Sequence, residues 1–104
     1  MKLTHTTLSR LPDLKSAGSI EVGSHVVPIW LADLSEAGIY GCATDEPEPA
    51  IWLNSKSTKQ QQNRTLVHEM FEVSNNVYDL GLTETQIRIL EQTVCQSFYV
   101  RRKT

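Results

Sequence analysis

The chain has 104 residues, of which 39% are apolar and 21% are charged, and its 10 basic and 12 acidic side chains give a formal charge of −2. This length supports one hydrophobic core, so we predict a single domain over residues 1–104. The nearly balanced charge excludes a general attraction to nucleic acid or to a membrane surface, and we interpret the basic run at residues 101–103 as a solvated tail.

Cysteine usage and hydropathy indicate the compartment. Cys42 and Cys95 lack the close spacing of a zinc ribbon or a redox pair, so both are expected to be reduced. No apolar run is long enough to span a bilayer, and residues 1–10 lack the apolar segment of a signal peptide. We therefore expect a cytoplasmic protein.

The first half of the chain predicts strands. Residues 20–31 alternate loosely around a turn at residues 23–24, which is typical of a hairpin. Pro28 has no amide hydrogen, so it predicts an edge position or a bulge in the second strand. Further strands are expected at residues 38–41 and 50–53. The result is a small antiparallel sheet of three or four strands.

The second half of the chain predicts two helices. Ser57 and Gln60 have the spacing of a capping box, and Gly81 suits the end of that helix. Thr83 and Gln86 repeat the capping box and begin a second helix, and the short link makes the helices antiparallel neighbours. The fold class is therefore α+β. The apolar stripes of the two helices are formed by Leu66, Met70, Val73 and Val77, and by Ile87, Leu90, Val94 and Phe98.

A polar stripe on the first helix is the candidate site. His68 and Glu72 lie one turn apart, so an imidazole nitrogen and a carboxylate oxygen can converge on one metal ion, as two histidines do in the HExxH motif. Glu69 projects about a quarter turn away, within reach of a water molecule beside that metal. Asn75 and Asp79 continue the stripe. The alternative is that the stripe is only the solvated face of an amphipathic helix.

Glu91 falls inside the apolar stripe of the second helix. Burying an ionised carboxylate costs on the order of several kcal/mol. This cost is avoided only if a cation or strong hydrogen bonds replace the lost hydration. A metal ion shared with the first helix is one partner for this carboxylate. An ion pair with Arg64 or Arg88 is the structural alternative.

The chain also resembles a known family. Residues 65–75 read TLVHEMFEVSN and residues 78–83 read YDLGLT, with a strand just before them at residues 51–54. This pattern is similar to small phage and prophage zincin-like metallopeptidases, which typically show Thr-Leu-Leu-His-Glu, then a His or Glu, then Ala-Ile-Asn, and a Tyr-Gly-Leu link. The resemblance covers roughly residues 50–98. Here Glu72 stands in place of the second histidine of HExxH.

The resemblance implies an α+β zincin-like fold with a small antiparallel sheet beside the metal-bearing helix. It implies His68 and Glu72 as zinc ligands and Glu69 as the general base. The related gluzincin pattern takes a glutamate from the following helix, which makes Glu91 the expected third ligand. The implied function is a zinc-dependent metallopeptidase, phage or prophage encoded, acting on a protein or peptide substrate. The alternative is a non-catalytic phage accessory module that binds a protein and retains the zincin fold, since Glu72 replaces a histidine.

Other candidates for the third ligand remain open. They are Asn75, Asp79, His25 and Cys42. Asn75 could equally brace the turn between the helices, and a lone histidine on a strand is more often packed or exposed than ligating.

Three aromatic side chains allow two interpretations. Trp30, Trp52 and Tyr40 could line a peptide-binding groove along the edge of the sheet. Core packing is favoured for the two tryptophans, because such large rings dominate the cores of small domains.

Overall fold

The computed structural model describes residues 3–97, so the predicted apolar position Phe98 and the basic run at residues 101–103 lie outside the described residues. Four strands form one sheet, preceded by a short helix and followed by two long ones. In chain order the elements are α1 (His5–Leu8), β1 (Lys15–Val22), β2 (His25–Ala32), a 3-10 turn (Ser35–Ala37), β3 (Gly41–Thr44), β4 (Ala50–Asn54), α2 (Lys59–Tyr78) and α3 (Glu84–Ser97). The predicted α+β class with two helices after the sheet is confirmed.

The strands are ordered β1-β2-β4-β3. The β1–β2 hairpin and the β3–β4 pair are antiparallel, as predicted. The β2–β4 pair is parallel, from Ile29 opposite Ile51 to Ala32 opposite Asn54. The sheet is therefore mixed, because the chain leaves β2, crosses over through the 3-10 turn and β3, and returns beside β2 in the same direction.

Pro28 lies on an inner strand, at a local irregularity. It pairs with Ser19, where the β1–β2 register shifts between Ser16 and Ser19. The pairing of β2 with β4 begins only at Ile29, one residue later. The missing amide hydrogen of proline is thus accommodated by a bulge, which was one of the two predicted solutions, and not by an edge position.

The edge strand β3 begins later than predicted. Gly38 adopts a left-handed conformation with φ of 69° and closes the 3-10 turn, so the strand expected at residues 38–41 starts only at Gly41. At Gly41 the strand approaches α2 closely: a Cβ atom there would lie 2.5 Å from Thr65 Cγ2 and 2.6 Å from the carbonyl oxygen of Trp52. Glycine at this position sets the distance between the edge strand and the helix.

Side chains alternate between two cores, one on each face of the sheet. On one face the buried cluster contains Ile51 and Leu53 of β4 together with Val73 of α2, and Leu66, Met70 and Val77 pack against it. This confirms the apolar stripe predicted for the first helix. On the other face the core is formed by Leu8, Leu34, Ala50 and Trp52. The sheet therefore fixes which side of α2 is buried and turns its polar stripe away from the strands.

The tryptophans belong to the second core. Trp52 is fully buried, and its Nε1 donates a 3.0 Å hydrogen bond to Thr44 Oγ1. Trp30 stacks on it with a distance of 6.0 Å between ring centroids. The preferred interpretation of these two rings as core residues is confirmed, whereas Tyr40 is 61% exposed.

The helix ends follow capping chemistry, with small shifts from the prediction. Thr58 Oγ1 accepts a 3.1 Å hydrogen bond from the backbone nitrogen of Gln61, so the cap of α2 lies one residue after the predicted position. The helix ends at Asp79, which adopts φ of 51°, two residues before the predicted glycine. The second capping box is confirmed, since Thr83 and Gln86 exchange hydrogen bonds of 2.9 and 3.1 Å.

Asn75 braces the link between α2 and α3. Its Oδ1 accepts a 2.8 Å hydrogen bond from the backbone nitrogen of Leu82, and its Nδ2 donates a 3.1 Å bond to the carbonyl oxygen of the same residue. The bracing role that we weighed against metal binding is therefore the observed one. The clamp folds α3 back along α2 as an antiparallel neighbour.

Two expectations concern chemistry outside the site. Cys42 and Cys95 are both unpaired thiols, as predicted. Within residues 3–97, neither long helix contains an apolar stretch that would suffice to cross a bilayer.

We predict that Gly41→Ala lowers the free energy of unfolding by about 1–3 kcal/mol, because the added methyl group overpacks against a methyl group and a backbone oxygen. Urea titration followed by circular dichroism measures this change. The double variant Gly41→Ala/Thr65→Ser, which removes the threonine methyl group, should recover part of the loss. A Gly41→Ala protein as stable as the wild type would contradict the close approach of β3 to α2.

Candidate metal centre

One imidazole and two carboxylates from α2 and α3 converge. His68 Nε2 lies 3.5 Å from Glu72 Oε1 and 3.1 Å from Glu84 Oε1. Ligand atoms of all three residues lie within 4.8 Å of one another. Zinc binds nitrogen and oxygen at roughly 2.0–2.1 Å, so two ligands of a tetrahedral ion lie about 3.3 Å apart. The side chains are thus spaced as ligands of one metal ion.

Glu84 is the member of this group that the sequence analysis missed. It lies in the first turn of α3, directly after the capping residue Thr83. The Asn75 clamp holds this turn beside the last part of α2, which brings Glu84 next to His68. The sequence does contain a signal for Glu84: it is an acidic residue in the first turn of α3, and the short link folds this helix back beside α2.

Glu91, the third ligand expected from the resemblance, contacts the other ring nitrogen. Its Oε1 lies 2.9 Å from His68 Nδ1, and its Oε2 lies 3.2 Å from Arg64 Nη2. Glu91 therefore contacts both Arg64, one of the two arginines considered as its structural partner, and His68. A ligand role for Glu91 stays a prediction, but the group around Nε2 is completed by Glu84.

The remaining candidates lie elsewhere. Asn75 braces the link between the helices, and Asp79 ends α2. His25 opens β2, and Cys42 lies in β3. Among the described residues, the metal-ligating group contains none of these four.

Glu69 faces a cleft between α2 and the segment that leads into β3. The residue is 7% exposed and lines a cavity of about 350 Å³ together with His68 and Glu91. The opposite wall is formed by residues 38–41. The predicted general base and the ring of the predicted ligand therefore border the same cleft.

Burial changes the acidity of Glu69. Removal of the carboxyl group from water is the main cause that raises its pKa from 4.5 to about 7. The positive charge of His68 opposes this rise, and the negative charges of Glu72, Glu84 and Glu91 add to it. A carboxyl group with a pKa near neutrality can both accept and release a proton at physiological pH.

The pKa values of His68 and Glu72 are raised as well, whereas that of Glu84 is lowered. Burial lowers the pKa of His68, but the hydrogen bond to Glu91 and the charges of Glu69 and Glu84 outweigh it, so the net shift is upward. Burial, followed by the neighbouring Glu84, raises the pKa of Glu72. The hydrogen bond to Glu72 is the main cause that lowers the pKa of Glu84.

The charge balance of the cluster favours a cation. Four glutamates surround one imidazole, at positions 69, 72, 84 and 91. Two arginines lie beside them: Arg64 pairs with Glu91, and Arg88 acts on Glu84. With His68 neutral, the ionised cluster keeps an excess of negative charge that a divalent ion would offset.

Comparisons with protein-family models, with curated proteins and with solved structures found no match. The resemblance to zincin-like metallopeptidases therefore depends on the motif itself and stays a prediction.

We predict that the metal-free protein loses stability as the pH rises from about 4.5 to about 7, because folded Glu69 retains a proton that the unfolded chain has released. Glu69→Gln stays neutral, so its stability relative to the wild type should increase through this window by about 3 kcal/mol. Urea unfolding at several pH values in the presence of a chelator measures the difference.

The matched control is Glu48→Gln, at an exposed position in the loop between β3 and β4. Its stability should follow the wild-type pH dependence. Parallel curves for Glu69→Gln and the wild type would contradict the raised pKa of Glu69.

Proposed function

We propose that this protein is a zinc-dependent metallopeptidase in which His68, Glu72 and Glu84 hold the metal and Glu69 is the general base. The observation that carries the proposal is the convergence of two carboxylate oxygens on His68 Nε2, at 3.1 and 3.5 Å. The residue next in sequence, Glu69, is buried and lines the adjacent cleft. One imidazole and two carboxylates are within the ligand set that zinc accepts in hydrolases.

When bound, zinc would polarise the scissile carbonyl group and lower the pKa of water. Three protein ligands leave a fourth position open for the reaction. The carboxylate of Glu69, buried beside His68, is suited to take a proton from the attacking water and to deliver it to the leaving amine. The chain itself thus contributes a buried base, Glu69, beside the His68 ring, whose Nε2 faces Glu72 and Glu84.

A peptide is the substrate class that best fits the surroundings of the cleft. Within residues 3–97, strand β3 pairs with a neighbour on one side only, β4, so backbone groups on its other side can pair with an extended chain. The cleft borders residues 38–41, at the entry to this strand, where Tyr40 is exposed. The motif resemblance supports the same substrate class, and it also suggests a phage or prophage origin.

A non-catalytic protein-binding module with a structural metal is the second candidate. One observation favours it: the ligand group takes Glu84 from α3 and the other two residues from α2, so a bound metal would tie the two helices together. The motif itself also departs from HExxH at Glu72. A structural site usually closes its coordination with four protein ligands, whereas a catalytic one keeps a position open.

Glu69→Gln separates the two candidates. This variant keeps all three ligands, so it should bind zinc as the wild type does, measured by isothermal titration calorimetry. As a peptidase it should cleave a peptide pool at least about 100-fold more slowly than the wild type, because the base is lost. Mass spectrometry of the digested pool measures the rate.

Glu48→Gln is again the matched control, and it should retain wild-type activity. Equal cleavage by the wild type and Glu69→Gln would contradict the assignment of the base. A zinc-loaded wild type that cleaves nothing, while zinc raises the melting temperature of both proteins equally, would support the binding module.

A further inference from the structure

A chain of polar contacts runs from solvent to the ring of His68. Arg64 Nη2 lies 3.2 Å from Glu91 Oε2, and Glu91 Oε1 lies 2.9 Å from His68 Nδ1. Solvent exposure decreases from Arg64 to Glu91: the Arg64 side chain is 46% exposed, and the Glu91 side chain is 16% exposed. The two oxygens of one carboxylate therefore have separate partners, one permanently charged and one titratable.

The contact with Glu91 holds one proton of the His68 ring on Nδ1. An ionised carboxylate can only accept a hydrogen bond, so Nδ1 must be the donor in the contact with Glu91. By the same rule Nε2 donates to the carboxylates beside it in the metal-free ring, so a ring that gives up its Nε2 proton to a metal ion keeps the other proton on Nδ1. Nε2 is the nitrogen that faces Glu72 and Glu84.

Arg64 keeps this arrangement in place. Its guanidinium group donates to the Glu91 oxygen that does not contact the ring, and so fixes the carboxylate beside Nδ1. Arg64 and His68 lie one turn apart on α2, so a single carboxylate from α3 can bridge them. Without the arginine, the carboxyl group of Glu91 could rotate away from Nδ1.

We propose that Arg64 and Glu91 are positioning residues that hold the His68 proton on Nδ1 and its lone pair on Nε2, the state in which the ring binds a metal. This inference rests on the proposed metal centre. In this inference Glu91 orients the ligand His68 and does not itself bind the metal. Arg64, which is not one of the three proposed ligands, acts through Glu91. Residues that orient a metal-ligating histidine typically change metal affinity by about 10–100-fold.

Zinc affinity of Arg64 variants tests the proposal, because two explanations predict opposite signs. If Arg64 were only a nearby charge, Arg64→Gln would strengthen zinc binding, since a positive charge beside the site is removed. If it is a positioning residue, Arg64→Gln should weaken binding by about 10–100-fold. Arg88→Gln is the matched control, because it removes the same charge next to Glu84 without touching Glu91.

Calorimetric titration with zinc should therefore give weaker binding for Arg64→Gln and equal or tighter binding for Arg88→Gln. Arg64→Lys keeps the charge without the planar guanidinium fork, and it should fall between the wild type and Arg64→Gln. Equal or tighter binding by Arg64→Gln would overturn the role of the arginine. Circular dichroism verifies that each variant is folded.

The tautomer of His68 is a second readout, which requires neither metal nor activity. Nitrogen-15 NMR of the metal-free protein, at a pH where the ring is neutral, should show the proton on Nδ1, with the signals assigned by their loss in His68→Ala. In Glu91→Gln the side-chain amide can donate to Nδ1, so the proton should move toward Nε2. Arg64→Gln should show a smaller shift in the same direction.

The two readouts also separate this inference from the metal centre itself. A neutral His68 with its proton on Nε2 in the wild type, or a tautomer unchanged in Glu91→Gln, would overturn the positioning role even if zinc binds. A wild type that binds no zinc but carries the proton on Nδ1 would overturn the proposed function and retain the orientation of the ring.

Discussion

The contact between His68 Nδ1 and Glu91 Oε1, at 2.9 Å, is the interaction that joins the two long helices at the candidate metal centre. It places a carboxylate of α3 in a mostly buried position against α2, where an unpaired charge would be strongly unfavourable. Arg64 compensates one side of that carboxylate and the imidazole the other. Once this contact and the Asn75 clamp are formed, the first turn of α3 lies beside His68, and Glu84 reaches Nε2.

The sheet determines which side of α2 is available for chemistry. Val73 is fully buried in the core between α2 and the strands, so the side of the helix that carries His68 and Glu72 is turned toward α3. Glu69 lies between these two sides, and the close approach of β3 at Gly41 helps to bury it. The raised pKa of Glu69 is thus a consequence of packing, because burial of its carboxyl group is the main cause of the shift.

Local signals in the sequence predicted most of the elements. The hairpin, β4, both long helices and the capping box at Thr83 follow from turn chemistry, alternation and helical periodicity, all of which act over a few residues. The parallel pairing of β2 with β4 did not follow, since it depends on a crossover between distant segments. The predicted start of β3 is wrong, because the left-handed φ of Gly38 ends a turn and does not continue a strand.

The candidate site was predicted in part for the same reason. His68, Glu69 and Glu72 lie on one helix, where spacing alone shows which side chains can meet. The contribution of α3 depends on the register between two helices, and that register is set by the contacts of Asn75 and Glu91 in three dimensions. The gluzincin pattern that the motif resembles indicated Glu91, which contacts Nδ1 in the folded chain, while Glu84 contacts Nε2.

The central claim is that one metal ion is held by His68, Glu72 and Glu84. Anomalous diffraction at the zinc absorption edge, from crystals grown with zinc, tests it most directly. The account predicts one strong peak at about 2.0–2.2 Å from His68 Nε2 and from an oxygen of each of the two glutamates, with Glu91 still on Nδ1. A difference map without a peak at Nε2, or a peak whose ligands are Glu91 and Nδ1, would contradict it.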